Sequence, residues 1–211
     1  MKNFILEYPF FYRLYQSSVR KKKHEYFFFK YIFSKLSNQI NIRMLDICSG
    51  DSHVLNYVSE YLSDYVGVDL NNKYLKNLEK KWPKYNFLNL DVTQKETIEI
   101  LKKYNPNFIF MNGAIHHLND STMNLINILI NNFGKASFLS VDPVYYKNKF
   151  INYLMIKNDR GKFIRNPNQY NEIMKEYNSI IIDDFYLMSF KNIFHYKNID
   201  LEKLYKEWQI L

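Results

Sequence analysis

Residues 44–70 read M-L-D-I-C-S-G-D-S-H-V-L-N-Y-V-S-E-Y-L-S-D-Y-V-G-V-D-L. An apolar run at 44–47 meets a turn of small residues at 48–52, after which apolar residues recur at helical spacing. A second apolar run at 65–68 ends in Asp69. The stretch therefore predicts a strand, a tight turn, a helix and a second strand that carries an acid at its carboxyl end.

The turn after the first predicted strand favours the close approach of a ligand. Gly50 lets the backbone come near a bound molecule, and the following helix presents unpaired N–H groups at its start. Asp69 can accept two hydrogen bonds from a ribose diol, at the sheet edge where open α/β folds bind nucleotide-like ligands. Cys48 and Ser52 stand where a dinucleotide-binding loop carries two of its three glycines. The two missing glycines count against an NAD-dependent oxidoreductase, which is kept as the runner-up among the possible enzymes.

Strands and helices alternate beyond this unit. Strands are predicted near residues 43–48, 65–69, 86–90, 107–112 and 136–141, and helices near residues 52–62, 72–81, 94–104 and 121–133. Residues 143–168 then show no clean period, and a helix near 169–178 precedes two further strands, at 179–183 and within 186–196. This order predicts an α/β fold with a Rossmann-like, doubly wound sheet of seven strands, mostly parallel, with the last strand antiparallel.

The first 40 residues predict two helices. Pro9 suits the first position of one helix, and the second begins near Lys22. The second helix carries too many aromatic residues for a single stripe, so both of its faces are expected to meet protein or ligand. Residues 1–40 are therefore predicted to form a helical layer on the sheet.

Composition favours a single domain, residues 1–211, because 47% hydrophobic content is ordinary for a globular chain of this length. One cysteine excludes an intramolecular disulfide and, with no membrane-length apolar run or signal-peptide pattern, predicts a cytoplasmic protein. The formal charge is +8, yet only five of the 29 basic residues are arginines. Lysine is abundant together with Asn, Ile, Tyr and Phe, which share A/T-rich codons, so much of the charge is attributed to composition.

The motifs resemble those of class I S-adenosylmethionine-dependent methyltransferases of the small-molecule type. Residues 44–50 resemble the first motif of that family, with Asp46 as its acid, and residues 87–92 resemble the third-strand segment. Residues 108–118 resemble the fourth-strand segment, where many members carry a similar leucine-histidine-histidine-leucine run. The resemblance covers residues 43–142. It implies S-adenosylmethionine as the cofactor, a small-molecule methyl acceptor and an N-terminal layer that closes as a lid.

The resemblance also implies which residues hold the cofactor. Asp69, followed by Leu70, is expected at the ribose, Asp91 with Val92 at the adenine, and Gly50 with Asn112 at the methionyl end. Asp46 and Cys48 belong to the loop motif, and Arg20 is a candidate for the methionyl carboxylate. The alternative for Asp91 is a turn or helix cap before Thr93.

His116 and His117 are the catalytic candidates, because they follow the fourth strand, where a group can face both the sulfonium and the acceptor. An imidazole with a pKa near ~6.5 suits proton removal at cellular pH. The alternative is that one histidine caps the next helix and the other packs under the substrate loop. No metal site is expected, since there is no His-x-x-x-His and no cysteine pair.

The segment 143–168 is predicted to be an insertion above the carboxyl edge of the sheet that carries substrate contacts. Arginine is scarce in this chain, and guanidinium groups suit phosphate and carboxylate groups better than lysine does. The candidates for holding an anionic or carboxyl-bearing acceptor are Tyr145, Arg160, Arg165 and Tyr170. The alternative is that Asp159 and Arg160 stabilise a loop around Gly161.

Two functions from other classes stay open. A nucleic-acid methyltransferase fits the basic charge, but residues 112–115 read N-G-A-I rather than the Asn-Pro-Pro-Tyr that positions a base amine. A non-catalytic Rossmann-like binding subunit fits the replacement of glycines by Cys48 and Ser52. The sequence carries no signal for a particular acceptor or oligomeric state.

Overall fold

The computed structural model describes residues 22–146, 161–182 and 191–210. The strands are β1 (Ile42–Ile47), β2 (Leu62–Val68), β3 (Asn86–Leu88), β4 (Phe108–Asn112), β5 (Ser137–Pro143), β6 (Asn178–Ile182) and β7 (Asn192–Lys197). The helices are α1 (Lys22–Ser37), α2 (Leu55–Val58), α3 (Asn72–Lys81), α4 (Lys95–Lys102), α5 (Asp120–Asn131), α6 (Pro167–Ile173) and α7 (Leu201–Trp208). Short 3₁₀ turns at Ser59–Tyr61 and Ile115–His117 follow α2 and β4.

The seven strands form one sheet in the order β3-β2-β1-β4-β5-β7-β6. The first five strands pair in parallel, whereas β7 runs antiparallel to both β5 and β6. The prediction of a seven-stranded, mostly parallel sheet with an antiparallel last strand is confirmed. The strand order reverses between β1 and β4, and open α/β sheets bind their ligands in the crevice at such a point.

The sheet is buried on both faces, because β5 and all but the last residue of β4 are buried and side chains alternate across a strand. Phe108 and Phe110 of β4 face a core shared with α1 and α7, whereas Ile109 and Met111 face a second core shared with α5 and α6. This packing fixes the register of β4. It also fixes the carboxyl end of β4 beside that of β1, in the crevice.

Helix α1 confirms the predicted N-terminal layer from Lys22 onward. Phe29 meets Phe110 and Phe33 meets Phe108 across the sheet face, and Phe28 meets Trp208 of α7 with 5.1 Å between ring centroids. The aromatic run therefore packs against two partners, the sheet and the last helix. The first predicted helix and Arg20 lie outside the described residues.

Two predicted elements have different bounds. The helix expected at 52–62 is only four residues long. The loop before it continues through Ser52, and a 3₁₀ turn at Ser59–Tyr61 takes the place of its last residues. Strand β2 accordingly begins at Leu62, three residues before the predicted start, and Ser63 Oγ donates to Ile42 O of β1. In the described part of the chain, no helix is long and apolar enough to cross a membrane.

Candidate functional site

The loop after β1 has the backbone of a glycine-rich loop although it holds one glycine. Cys48, Gly50 and Ser52 all have positive φ angles, 57°, 52° and 46°. Only glycine adopts this left-handed region without a steric penalty, which for other residues is roughly 1–2 kcal/mol. Ser49 N donates to Val68 O and Ser52 N donates to Ser49 O, which close the turn. The two residues that replace glycines thus keep the glycine geometry.

Asp69 ties this loop to the end of β2. Its Oδ2 accepts from Gly50 N at 2.8 Å, and its Oδ1 accepts from Asn71 N at 2.7 Å. Each carboxylate oxygen keeps a further lone pair, so the fixed group can still accept two hydrogen bonds from a diol. The adjacent Leu70 side chain is 71% exposed, an apolar surface beside the carboxylate. This geometry fits the ribose prediction for Asp69.

Asp91 has the turn role that was the alternative for it. Its Oδ1 accepts from Thr93 N and Thr93 Oγ1, at 2.9 and 2.7 Å, and these hydrogen bonds lower the pKa of the carboxyl. Val92 beside it is buried in the second core. Contact of Asp91 and Val92 with an adenine stays a prediction.

Asp46 lies buried beneath the loop and is bonded to a residue that the motif reading missed. Tyr65 of β2 donates its hydroxyl proton to Asp46 Oδ2 at 2.6 Å. Burial raises the pKa of Asp46 to about 7, the Tyr65 bond opposes this rise, and the nearby Asp69 and Asp51 add to it. Tyr65 could not be identified from the sequence, because its contact with Asp46 depends on the β1–β2 register, in which Tyr65 pairs with Met44, two residues before Asp46.

Four carboxyl groups converge on this edge of the sheet. The pKa of the Cys48 thiol is raised to about 12, first by burial and then by the charges of Asp69, Asp46, Asp142 and Asp91. The same charges that disfavour a thiolate favour a cation. The crevice is therefore a suitable environment for a positively charged ligand group.

His116 is held by Asp142, a second residue that the sequence analysis did not assign. Asp142 lies at the end of β5 and is fully buried, and its Oδ1 contacts His116 Nδ1 at 2.8 Å. The same oxygen accepts from the backbone N–H of His116 at 3.1 Å. Burial raises the pKa of Asp142, and the bonds from His116 oppose that rise. A carboxylate at Nδ1 places the proton there, which leaves Nε2 as the basic atom of a neutral imidazole.

The His116 ring lies between two glycines. Its Cε1 is 3.7 Å from where a Cβ would stand on Gly113, and its Cδ2 occupies the space that a Cβ on Gly161 would need. Nε2 is bonded to both of these ring carbons. His116 is only 5% exposed, whereas the neighbouring His117 is exposed and its ring centroid lies 4.2 Å away. The two histidines therefore have different environments.

Asn112 and Gly113 complete the crevice at the end of β4. Asn112 is partly buried, and Gly113 follows in the left-handed conformation with its N–H donating to Val141 O. Asn112 therefore stands at the switch point, where the resemblance puts the methionyl group. Within the ranges that the structure describes, no three His, Cys, Asp or Glu residues are grouped to hold a metal ion.

The structure corrects two of the four substrate candidates. The guanidinium of Arg165 donates to the carbonyls of Phe163 and Leu118 and to Asp120 Oδ1, at 2.9, 2.8 and 2.5 Å, so its nitrogens are engaged by the protein. Tyr170 is fully buried in the second core, and its hydroxyl donates to Pro143 O, so it cannot reach an acceptor. Both residues join segments of the fold.

Contact of Tyr145 and Arg160 with an acceptor stays a prediction. Tyr145 is partly buried, and its N–H donates to Arg165 O at 2.9 Å, a hydrogen bond that joins the two described ends of the insertion. Arg160 lies outside the described residues. The part of the insertion that can be described runs along the 115–120 loop, where Phe163 N donates to His116 O.

Searches of protein-family models and of curated proteins find no match. Solved structures do match. A methyltransferase from Anabaena variabilis, described as S-adenosylmethionine-dependent, aligns with a TM-score of 0.58 at 12% identity over 74% of this chain and 76% of that one. DhpI, in a complex described as DhpI-SAM-HEP, aligns with a TM-score of 0.54 at 12% identity over 75% and 80%. Human N-acetylserotonin methyltransferase, in complex with S-adenosylmethionine, aligns with a TM-score of 0.55 at 11% identity over 74% and 47%. These likenesses show that the chain has the class I fold of S-adenosylmethionine-dependent methyltransferases.

Proposed function

We propose that this protein is an S-adenosylmethionine-dependent methyltransferase that acts on a small molecule. The observation that carries the proposal is the loop after β1, whose left-handed backbone at Cys48, Gly50 and Ser52 opens onto the switch point beside the fixed carboxylate of Asp69. A loop of this shape without a phosphate-binding glycine pattern suits a nucleoside ligand that has no pyrophosphate.

The charge of the crevice supports the same cofactor. S-adenosylmethionine supplies a methyl group on a sulfonium, which carries a positive charge. The Cys48 thiol is acted on by the negative charges of Asp46, Asp69 and Asp142. The carboxylates around the loop therefore favour such a cation. The protein's part in the reaction is then to align the acceptor, exclude water and remove a proton where the acceptor carries one.

The acceptor class rests on two lines of support. N-acetylserotonin, named for one structural neighbour, is a small molecule, and the N-G-A-I sequence after β4 lacks the motif that positions a nucleic-acid base amine. An anionic or carboxyl-bearing acceptor is part of the proposal only through Arg160, since Arg165 is engaged elsewhere. The proposal also includes two segments, residues 1–40 as a lid and residues 143–168 as a substrate-facing insertion. It further includes a cytoplasmic location, which is drawn from the single cysteine.

Replacing Asp69 tests the cofactor site. Asp69→Ala removes the acceptor of two ribose hydrogen bonds, and we expect the dissociation constant for S-adenosylhomocysteine to rise by about tenfold or more. Isothermal titration calorimetry measures it, with Glu99→Gln as the control, because Glu99 is an exposed carboxylate on α4 that forms an ion pair with Lys102 at 2.7 Å. An unchanged constant for Asp69→Ala would refute the site, whereas a wild-type protein that binds neither S-adenosylmethionine nor its product would refute the function.

His116 is the general base in this proposal, and Asp142 orients it. Nε2 of His116 would take up the acceptor's proton, and bound S-adenosylmethionine would supply the methyl group to the acceptor's lone pair. The proton on Nδ1 remains bonded to Asp142. The alternative is that the His116–Asp142 pair only joins β5 to the 115–120 loop.

Matched histidine variants separate these roles. His116→Ala should lower turnover by about 10²-fold while the affinity for S-adenosylhomocysteine stays nearly unchanged, and the exposed His117→Ala should retain turnover. Turnover is measured as S-adenosylhomocysteine release over a panel of small protic acceptors. A readout that needs no acceptor is the ¹⁵N spectrum of His116, which should show the Nδ1–H tautomer in the wild type and lose that preference in Asp142→Asn. Greater loss in His117→Ala than in His116→Ala would reverse the assignment.

A further inference from the structure

The Tyr65 hydroxyl joins two parts of the candidate cofactor site that the backbone alone does not connect. It lies 2.6 Å from Asp46 Oδ2, beneath the loop, and 2.8 Å from Ser52 Oγ, at the loop's far end. The phenol has one proton, and the carboxylate is the stronger acceptor, so Ser52 donates its own hydroxyl proton to the phenol oxygen. The result is a buried chain of two hydrogen bonds across the loop.

The surroundings of the Tyr65 ring leave it one position. The ring packs against Tyr85 and Phe87, with centroids 5.5 and 5.8 Å away, and is fully buried. A Cβ on Gly67, two residues along the same face of β2, would stand 3.0 Å from Tyr65 Cε1. Because the ring is enclosed in this way, the hydroxyl is a fixed point from which the two hydrogen bonds are made.

We propose that Tyr65 is a positioning residue of the cofactor site, which holds the Asp46 carboxylate and the left-handed Ser52 in one geometry. The inference rests on the proposed function. Ser52 stands where a glycine would adopt the left-handed backbone freely, and its hydrogen bond to Tyr65 offsets part of the conformational penalty. Asp46 is held as the hydrogen-bond acceptor, which favours its ionised form beside a cationic ligand.

The two hydrogen bonds of Tyr65 couple cofactor affinity to pH. The groups that act on Asp46 are Tyr65 from β2, Asp69 at the end of β2, and Asp51 with Cys48 in the loop. A bound cation lowers the pKa of Asp46, so affinity is highest above the pKa of the free protein, which is about 7, and falls as pH drops through it. The Tyr65 bond lowers that pKa. Its loss moves the fall in affinity to higher pH.

The test compares two tyrosines that pack in contact. Tyr65→Phe keeps the ring and removes the hydroxyl, and Tyr85→Phe removes a hydroxyl that donates to Ser59 O, away from Asp46 and Ser52. We expect Tyr65→Phe to weaken the binding of S-adenosylmethionine, which carries the sulfonium charge, by about tenfold at neutral pH and to shift the pH midpoint of affinity upward. Tyr85→Phe should keep the wild-type affinity and midpoint. Ser52→Ala should weaken binding less, because the bond to Asp46 remains.

A ligand-free measurement distinguishes failure of this inference from failure of the proposed function. The ¹³C carboxyl resonance of Asp46 reports its titration in the free protein, and Asp46→Asn identifies the resonance. A higher midpoint in Tyr65→Phe supports the inference even if no ligand binds. Equal midpoints and equal affinities in Tyr65→Phe and the wild type would overturn it. If Tyr65→Phe does not fold, Ser52→Ala decides instead: wild-type affinity for S-adenosylmethionine in Ser52→Ala overturns the inference.

Discussion

Three residues of the loop after β1 share a left-handed backbone, and two of them carry a side chain. Sequence reasoning took Cys48 and Ser52 as departures from a glycine motif, and the structure shows that they keep its backbone. The missing information was energetic. Whether a residue is held in a left-handed conformation depends on its partners, here Val68 for the loop and Tyr65 for Ser52, and these come from another strand. The positions of Asp69 and Asn112 at this edge of the sheet were predictable, because each follows an apolar run, whereas Asp46 was identified by the resemblance of its motif.

A comparison of Gly50 with Gly134 measures the energetic cost of a left-handed backbone separately from steric contacts. A Cβ on Gly50 meets no atom within 4 Å, and one on Gly134 comes no closer than 3.9 Å to Asn131 O, but only Gly50 has a positive φ. We therefore expect Gly50→Ala to lower the free energy of unfolding by about 1–2 kcal/mol. Gly134→Ala should leave it unchanged or raise it by about 0.4–1 kcal/mol. Urea denaturation measures both, and equal effects would contradict the argument from backbone conformation.

The segment 161–166 is an element that the sequence did not resolve, since it has neither helical nor strand periodicity. Its position comes from Arg165, whose guanidinium reaches carbonyls of the 115–120 loop, and from Phe163 N–H, which donates to His116 O. Sequence reasoning noted that arginine is scarce and inferred an anion. A buried arginine that donates to carbonyls 47 and 50 residues away has the same sequence signature, so the two roles cannot be separated without the fold. Strand β4 was predictable because residues 108–111 are a continuous apolar run.

Removing the Arg165 guanidinium should release this segment. Arg165→Met leaves the Leu118 and Phe163 carbonyls without that donor, and we expect a loss of about 2 kcal/mol or more in the free energy of unfolding. Asp120→Asn is the matched control, because it removes only an ion pair whose acid is 71% exposed, worth about 0–1 kcal/mol. Native-state hydrogen exchange should show faster exchange at Phe163 N–H and Tyr145 N–H in Arg165→Met. Wild-type protection at both amides would show that other contacts hold the segment.

At the scale of the whole molecule, two buried ionisable groups have opposite effects on stability. His195 of β7 is fully buried, with no hydrogen-bond partner for either ring nitrogen in the described part of the chain, and burial lowers its pKa from 6.5 to about 4. His195 stays neutral in the folded state, whereas it takes up a proton in the unfolded chain. The folded protein therefore loses stability as the pH falls from 6.5 to about 4. The pKa of Asp46 is about 7 in the folded state, against an ordinary value of 3.8. The stability that its bound proton gives the folded state is therefore lost as the pH rises through this range. Between about pH 4 and about pH 6.5 the two slopes oppose each other.

Single substitutions should unmask each slope. In His195→Leu the stability of the ligand-free protein should fall as pH rises across this window, by up to about 1.4 kcal/mol per pH unit, and Asp142, whose pKa is also raised, acts in the same direction. In Asp46→Asn the contribution of His195 is unmasked, and stability should rise with pH relative to the wild type. Thermal melting at a series of pH values measures both. Parallel curves for the two variants would contradict the assignment.

Helix α1 is completed by a part of the chain that is synthesised much later. Tyr31 donates to Glu207, 176 residues further on, and Phe28 packs against Trp208 and Phe194. A ribosome adds about 5–20 residues per second, so the aromatic face of α1 waits on the order of 10 s or more for these partners. During that time the chain carries an exposed apolar surface, which is a binding site for a chaperone and a hazard for aggregation. The packing that finishes the N-terminal layer therefore also sets a period of vulnerability during synthesis.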